Sequence, residues 1–452
     1  MTAPSTSNPT PLPLPPGQFG LPWLGETLAF FRDPDFAKKR HQQYGSIFKT
    51  RLFGKPTIFL YGAAANHFVF VHENQYFSVS GPRSTKLLLG SLSLSLQTGS
   101  THQKRRKLLA QAFMPRALAS YIKTMETITA RYAQRWAQQQ TLAWYPELRN
   151  YTFDVAGKLL VGLDDAATTP LGHLFETWGK GLFSIPLALP WTRFGKAMRC
   201  RDRILALLEK TVCDRQQQDH PGKNTLGLLI QARDDDGNQL SRVELTNQIL
   251  VLLFAGHETL TSAMTCFCLQ IAQNPAVADR LRAEQQQFDP SQPPTLEQLQ
   301  QMPYLEQVMK EVLRHTPPVG GGFRDVIKTC EFQGYQIPQG WSILYGISRT
   351  HQNEQVYPDA TRFNPDRFDR SQTPSQQKYD YIPFGGGIRE CLGKEFARLE
   401  MKLFAIHLLR RYQWSLVPGQ DLSLAIMPTP KPRDNLQVHF QALQPGTTPN
   451  SL

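Results

Sequence analysis

Residues 384–393 read Phe-Gly-Gly-Gly-Ile-Arg-Glu-Cys-Leu-Gly and constrain this chain more than any other stretch. Three consecutive glycines let a backbone turn tightly and lie close to a flat ligand. Cys391 follows, just before a helix predicted to begin near Lys394. Backbone N–H groups and the positive end of that helix would stabilise a thiolate there. Arg389, two residues earlier, can meet an acidic group on the same ligand. A structural cysteine in a glycine-rich turn would not need the spacing Phe-x-x-Gly-x-Arg-x-Cys-x-Gly. A phosphate-cradling loop would need Lys-Ser or Lys-Thr after the glycines, and neither follows.

The rest of the chain predicts a mainly α fold with a small β region. Hydrophobic residues make up 40% of the 452 and aromatics 10%, which suffices for a large core and excludes global disorder. Residues 47–61 are rich in strand formers broken at Gly54-Lys55, and read as a hairpin. Residues 101–287 are predicted mostly helical, strands return over 330–347, and a long irregular stretch covers 351–387. A helix is predicted from Lys394 to about Arg411, and the alternating Leu436, Val438, Phe440 and Ala442 predict an edge-region strand. The division expected is a flexible proline-rich segment over 1–20, one domain over 21–445 and a tail over 446–452.

The formal charge of +12 admits an acidic protein partner, nucleic acid, anionic lipid or plain solubility. Nucleic acid is disfavoured, because no aromatic residues interleave with the basic run 101–107. Six irregularly spaced cysteines without a secretory signal predict reduced thiols in a cytoplasmic, soluble protein, with peripheral membrane contact left open. Cys266 and Cys268 diverge on a helix and are expected in its core. No run reaches the roughly 20 apolar residues that span a bilayer, so no transmembrane anchor is expected.

Ser241-Arg242-Val243-Glu244 has the form of a capping box, and Asn274-Pro275 should stop the helix it begins. Inside lies Phe254-Ala255-Gly256-His257-Glu258-Thr259. Gly256 removes bulk, and Thr259 can bond the carbonyl one turn back and bend the helix, together opening a groove. His257 is read as a packing or surface residue. Glu311 and Arg314, three apart, share a helix face and can pair.

The cysteine loop resembles the haem-binding signature of the cytochrome P-450 monooxygenases, and the resemblance runs over nearly the whole chain. Within that superfamily, residues 384–397, 319–325 with Thr329, 335–341 and 364–368 resemble the branch containing the animal retinoic-acid hydroxylases. The lack of an anchor is similar to soluble bacterial, cyanobacterial-type members. The resemblance implies the cytochrome P-450 fold, a triangular helical prism around a buried haem b, with Cys391 as axial ligand of the iron. It sets Phe384, Gly385, Ala255 and Gly256 against the haem. Arg106, Arg324 and Arg389 would bind its carboxylates, with His102 standing where the family usually has tryptophan. Glu258 would be the relay acid and Thr259 the hydroxyl that holds dioxygen. Glu311, Arg314 and Arg367 would form a buried structural triad.

The activity implied is insertion of one atom of O₂ into a C–H bond of a hydrophobic substrate, a retinoid such as retinoic acid by resemblance. Electrons would come from an acidic ferredoxin or flavodoxin, docking near the basic run from Lys104 to Lys107. Substrate walls are expected from 84–97, 178–189, 252–259, 319–323 and 426–429, and the glycines at 320–322 are expected to leave room beside the haem. The alternatives are a haem-thiolate peroxygenase or isomerase acting on another lipid, and a non-catalytic haem-binding sensor or retinoid carrier. The retained Glu258-Thr259 pair speaks for the monooxygenase.

Overall fold

A computed structural model describes residues 12–369 and 377–443. The helices that matter here are α1 (Ala63–Val71), α2 (Gly99–Ala110), α3 (Pro115–Gln139), α4 (Trp144–Ala156), α5 (Arg242–Gln273), α6 (Pro303–His315) and α7 (Lys394–Arg411). Helix α5 begins where the sequence places it. Ser241 Oγ accepts from the Glu244 N–H, and the Glu244 carboxylate accepts from the Ser241 N–H. Proline at position 275 then starts a new helix, whose first position tolerates the missing N–H.

Helix α5 is long and apolar enough to cross a membrane by length and composition, but 67% of its most apolar window is buried. It is the core helix. Leu260, Ala263, Met264 and Phe267 pack in one cluster with residues of α3, α4, α6 and α7. Its earlier turns, through Leu245, Ile249 and Leu253, pack in a second cluster with Trp178 and Phe194. His257 resolves to packing: it is buried, edge-on to Phe153 at 5.1 Å, with Nε2 3.1 Å from the Arg149 carbonyl. Burial pushes its pKa down to about 3, so the ring is neutral. Cys266 and Cys268 are also buried, and burial raises both thiols.

Five strands form the main sheet: β1 (Ile47–Leu52), β2 (Lys55–Leu60), β3 (Phe77–Val79), β4 (Gly321–Val326) and β5 (Ser342–Gly346), in the order β1-β2-β5-β4-β3. The hairpin β1-β2 pairs Ile47 with Leu60. Strand β4 sets Arg324 opposite Val79 of β3 and Gly322 opposite Tyr345 of β5. The strand Gln437–Ala442 corrects the expectation of an edge: it lies between Thr141–Ala143 and Tyr412–Leu416 and pairs with both. Its alternation is nonetheless real, with Val438 and Phe440 buried and His439 exposed.

The segment expected to be flexible over 1–20 is pinned in its described part. The Lys49 N–H donates to the Pro16 carbonyl at 2.7 Å and the Gln336 N–H to the Pro13 carbonyl at 2.9 Å. Proline keeps its acceptor although it lacks a donor, so this extended stretch can still cap two strands. Residues 1–11 and the tail 446–452 lie outside the described residues, as do 370–376 of the irregular stretch.

Candidate haem site

The cysteine loop is closed by its own backbone. The Cys391 N–H donates to the Phe384 carbonyl at 2.9 Å, and α7 starts three residues later. Cys391 is exposed, yet enough protein surrounds it that burial pushes the thiol up. The Gly393 N–H, Arg106 and Lys394 act the other way and favour the thiolate. Phe384 packs against the main hydrophobic cluster.

Two of the three glycines answer to a residue the sequence did not indicate. A Cβ on Gly386 would lie 2.6 Å from the Phe70 ring, and one on Gly387 would lie 2.8 Å from the Phe70 carbonyl. The close approach that demands glycine there is to α1, which carries Phe70. Tyr345 plays a similar part on the sheet. A Cβ on Gly322 would lie 2.4 Å from the Tyr345 hydroxyl, and one on Gly321 2.6 Å from the Tyr345 carbonyl. This corrects the expectation that glycines 321 and 322 leave room for substrate: Tyr345 takes that space. Its ring also packs on Phe70 at 5.2 Å and lies 5.3 Å from the Arg324 guanidinium.

The proposed carboxylate partners converge, with one addition. Arg324 Nε donates to Glu73 at 2.6 Å and Arg389 Nε donates to the other Glu73 oxygen at 2.5 Å. All three side chains are nearly fully buried, at 8%, 8% and 3% exposure. Glu73 was not legible in the sequence, where it is one glutamate just past a helix. Arg389 also donates Nη2 to the Gln97 carbonyl at 2.6 Å. His102 is 2% exposed, and burial followed by the charges of Arg389 and Arg106 lowers its pKa to about 4. It is therefore a neutral ring at pH 7, and its Nδ1 is buried without a partner among the described residues. Arg106 feels Cys391, Glu390 and Arg389 electrostatically.

In α5, Ala255 is exposed and Gly256 half-buried. A Cβ on Gly256 would meet no atom within 4 Å. Thr259 Oγ1 donates to the Ala255 carbonyl at 2.7 Å, the back-bond the sequence suggested. Glu258 and Thr259 do not bond each other. Glu258 Oε1 instead accepts from Tyr145 Oη and Thr429 Oγ1, both at 3.4 Å. Burial, then Glu258, pushes the Tyr145 hydroxyl well up, so Tyr145 stays a neutral donor.

The triad forms. Arg314 grips Glu311 through Nε at 2.6 Å and Nη2 at 2.8 Å, and Arg367 Nε donates to Glu311 Oε1 at 3.1 Å. Glu311 and Arg314 are fully buried. The Asn364 N–H also donates to Glu311, and Arg314 Nη1 reaches the His351 carbonyl at 2.8 Å.

Two expectations fail on the surface. Lys104 pairs with Asp236 at 3.1 Å and Lys107 with Asp235 at 2.5 Å, so the basic run meets acidic residues of this same chain. Arg105 pairs with Glu244 in the same way. A docking surface made of Lys104 and Lys107 is thereby corrected to a neutralised helix face. Of the expected substrate walls, Trp178 meets Phe254 edge-on at 5.3 Å, and Ser84 Oγ bonds the Leu182 carbonyl at 2.8 Å. Ile185 is 82% exposed and cannot line an interior wall as described.

The residues present fit an iron porphyrin. Among the described residues no three His, Cys, Asp or Glu side chains gather as a metal cage. Cys391 is an exposed thiol, and a metal bound by it alone would bring its remaining ligands with it. Near the cysteine loop Arg324 and Arg389 share Glu73, Arg106 feels Arg389 and Cys391, and the Nδ1 of His102 is buried without a partner among the described residues, a basic set that suits a flat group bearing carboxylates.

The family model for cytochrome P450 matches residues 15–438, so the chain belongs to the cytochrome P450 family. It is a haem-thiolate monooxygenase, and its cofactor is haem b. The chain is 52% identical over 441 residues to putative cytochrome P450 120 of Synechocystis, covering 97% of this chain and 99% of that one. It is 36% identical to cytochrome P450 26A1 of Gallus gallus, covering 95% of this chain and 90% of that one. Retinoic acid bound cyanobacterial CYP120A1 superposes with a TM-score of 0.90 at 51% identity, over 96% of this chain and all of that one.

Proposed function

We propose that this monooxygenase hydroxylates a retinoid, with retinoic acid preferred. The observation that carries the proposal is the likeness to a retinoic acid-bound structure over 96% of the chain at 51% identity. The half-buried apolar side chain of Phe254, braced by the buried Trp178, and the exposed Ala255 of α5 suit a hydrophobic ligand. Incubation with retinoic acid, an electron donor and ¹⁸O₂ should give a product heavier by one labelled oxygen atom. Spectral binding of fatty acids with neither binding nor turnover of any retinoid would overturn the retinoid reading. Product formed from peroxide alone, and none with a donor and O₂, would favour a peroxygenase.

Haem b bound through Cys391 supplies the activation of O₂. Cys391 Sγ would bind the iron, and Phe384, Gly385, Ala255 and Gly256 would lie against the porphyrin. His102, Arg106, Arg324 and Arg389 hold its carboxylates. Thr259 presents its hydroxyl oxygen to the groove while its proton is engaged by the Ala255 carbonyl. Glu258 Oε1 accepts from Tyr145 and Thr429, which hold the carboxylate in place, and in this reading it passes protons taken from solvent water toward the groove. Thr259→Ala should therefore bind substrate and accept electrons as before, while product per electron falls several-fold and hydrogen peroxide rises. Stopped assays of NADPH, product and peroxide check this, and unchanged coupling in both Thr259→Ala and Glu258→Gln would remove the relay. The donor in this reading is an acidic ferredoxin or flavodoxin, attracted by a chain of net charge +12. Lys104 and Lys107 are not assigned to it.

A further inference from the structure

We propose that Glu73 is a positioning residue that sets both the geometry and the charge of the haem-carboxylate site. This rests on the haem reading of the site and goes beyond it. Glu73 sits where three parts of the chain meet. It follows α1, its neighbour Asn74 accepts from the Gly99 N–H at the start of α2, and its carboxylate reaches both the sheet and the cysteine loop. Helix α2 carries His102 and Arg106, β4 carries Arg324, and the cysteine loop carries Arg389.

Each Glu73 oxygen takes the Nε of a different arginine. The two guanidiniums are thus held side by side although they come from different elements. The Nε atoms are spent on Glu73, and Arg389 Nη1 is left without a hydrogen bond among the described residues. The same carboxylate solves a charge problem. Arg106, Arg324 and Arg389 bring three positive charges into one largely buried region, and like charges in low dielectric repel strongly. Glu390 also acts on Arg106, but it is paired with Lys394 at 3.0 Å, so the two together add no net charge. Glu73 cancels one of the three charges. The two that remain match the two carboxylates of haem b. Without Glu73 the loaded site would carry one uncompensated positive charge.

Two consequences separate this role from ordinary packing. Removing the negative charge while keeping the shape should make the haem easier to reduce, because a net positive charge nearby favours the electron. Releasing an arginine should let haem leave faster. In the holoenzyme, Glu73→Gln should shift the haem midpoint potential to a more positive value and speed haem transfer to apomyoglobin several-fold. Glu73→Asp keeps the charge but shortens the reach, so its potential should stay near that of the parent while haem transfer quickens. A Glu73→Gln holoenzyme with both the potential and the transfer rate of the parent would overturn the proposal. Should Glu73→Gln not accumulate in folded form, Glu73→Asp decides alone: a parental potential with faster transfer supports the proposal, and a parental transfer rate overturns it.

Discussion

Cys391→His should abolish the thiolate signature of the reduced carbon-monoxide complex and reduce monooxygenation to background. The thiolate donates electron density that helps cleave the O–O bond, and a neutral imidazole does so far less. The local backbone predicts that the loop survives the change. Its closing bond runs from the Cys391 N–H to the Phe384 carbonyl and uses no side-chain atom, and the glycines that meet Phe70 lie four and five residues before Cys391. The protein should therefore fold, and the spectrum should report ligation. Retention of the parental Soret band in the reduced carbon-monoxide complex of Cys391→His would show that another group binds the iron.

Glu311→Ala should be among the most destabilising single changes in the chain. It would leave Arg314 fully buried without its carboxylate, and would take one partner from Arg367 and from the Asn364 N–H. Breaking a buried pair by removing one partner costs about 3–5 kcal/mol, because an uncompensated charge stays in low dielectric. Arg314 would keep the backbone carbonyls of His351 and Arg362 and the Tyr357 ring, none of which carries a compensating charge. A urea midpoint measured for Glu311→Ala and for Lys104→Ala checks this. Lys104 pairs on the open surface, where solvent screens the pair, so its loss should leave the midpoint almost unchanged. Equal midpoints for the two variants would remove the triad from the stability of the fold.

The triad also shows what kind of information was readable in advance. Glu311 and Arg314 lie one helical turn apart, so their pairing follows from the period of the helix. The third member, Arg367, came from resemblance, since 56 residues separate it from Glu311. The capping box at Ser241, the back-bond of Thr259, the hairpin at Gly54 and the helix start after Cys391 were legible for the same reason as the first pair. Each depends on groups within about four residues of one another, where chain geometry leaves few choices.

The sequence by itself thus determined the cysteine loop, the capped core helix with its Thr259 back-bond and the alternation of the last strand. Only the tertiary structure decided what surrounds them. Glu73 meets Arg389 across 316 residues and Arg324 across 251. Phe70 explains two of the three loop glycines, and Tyr345 takes the space that glycines 321 and 322 had suggested for a substrate. Lys104 and Lys107 looked like a free basic face until aspartates 132 and 128 residues onward were folded against them. The same holds for the last strand, which is central because a segment near residue 141 supplies its second neighbour. A side chain's chemical type is fixed by the sequence, but its charge partner and the space beside it are set by packing between distant segments. That packing is why the ligand-bearing loop could be read directly, while the counter-charge beneath its arginines could not.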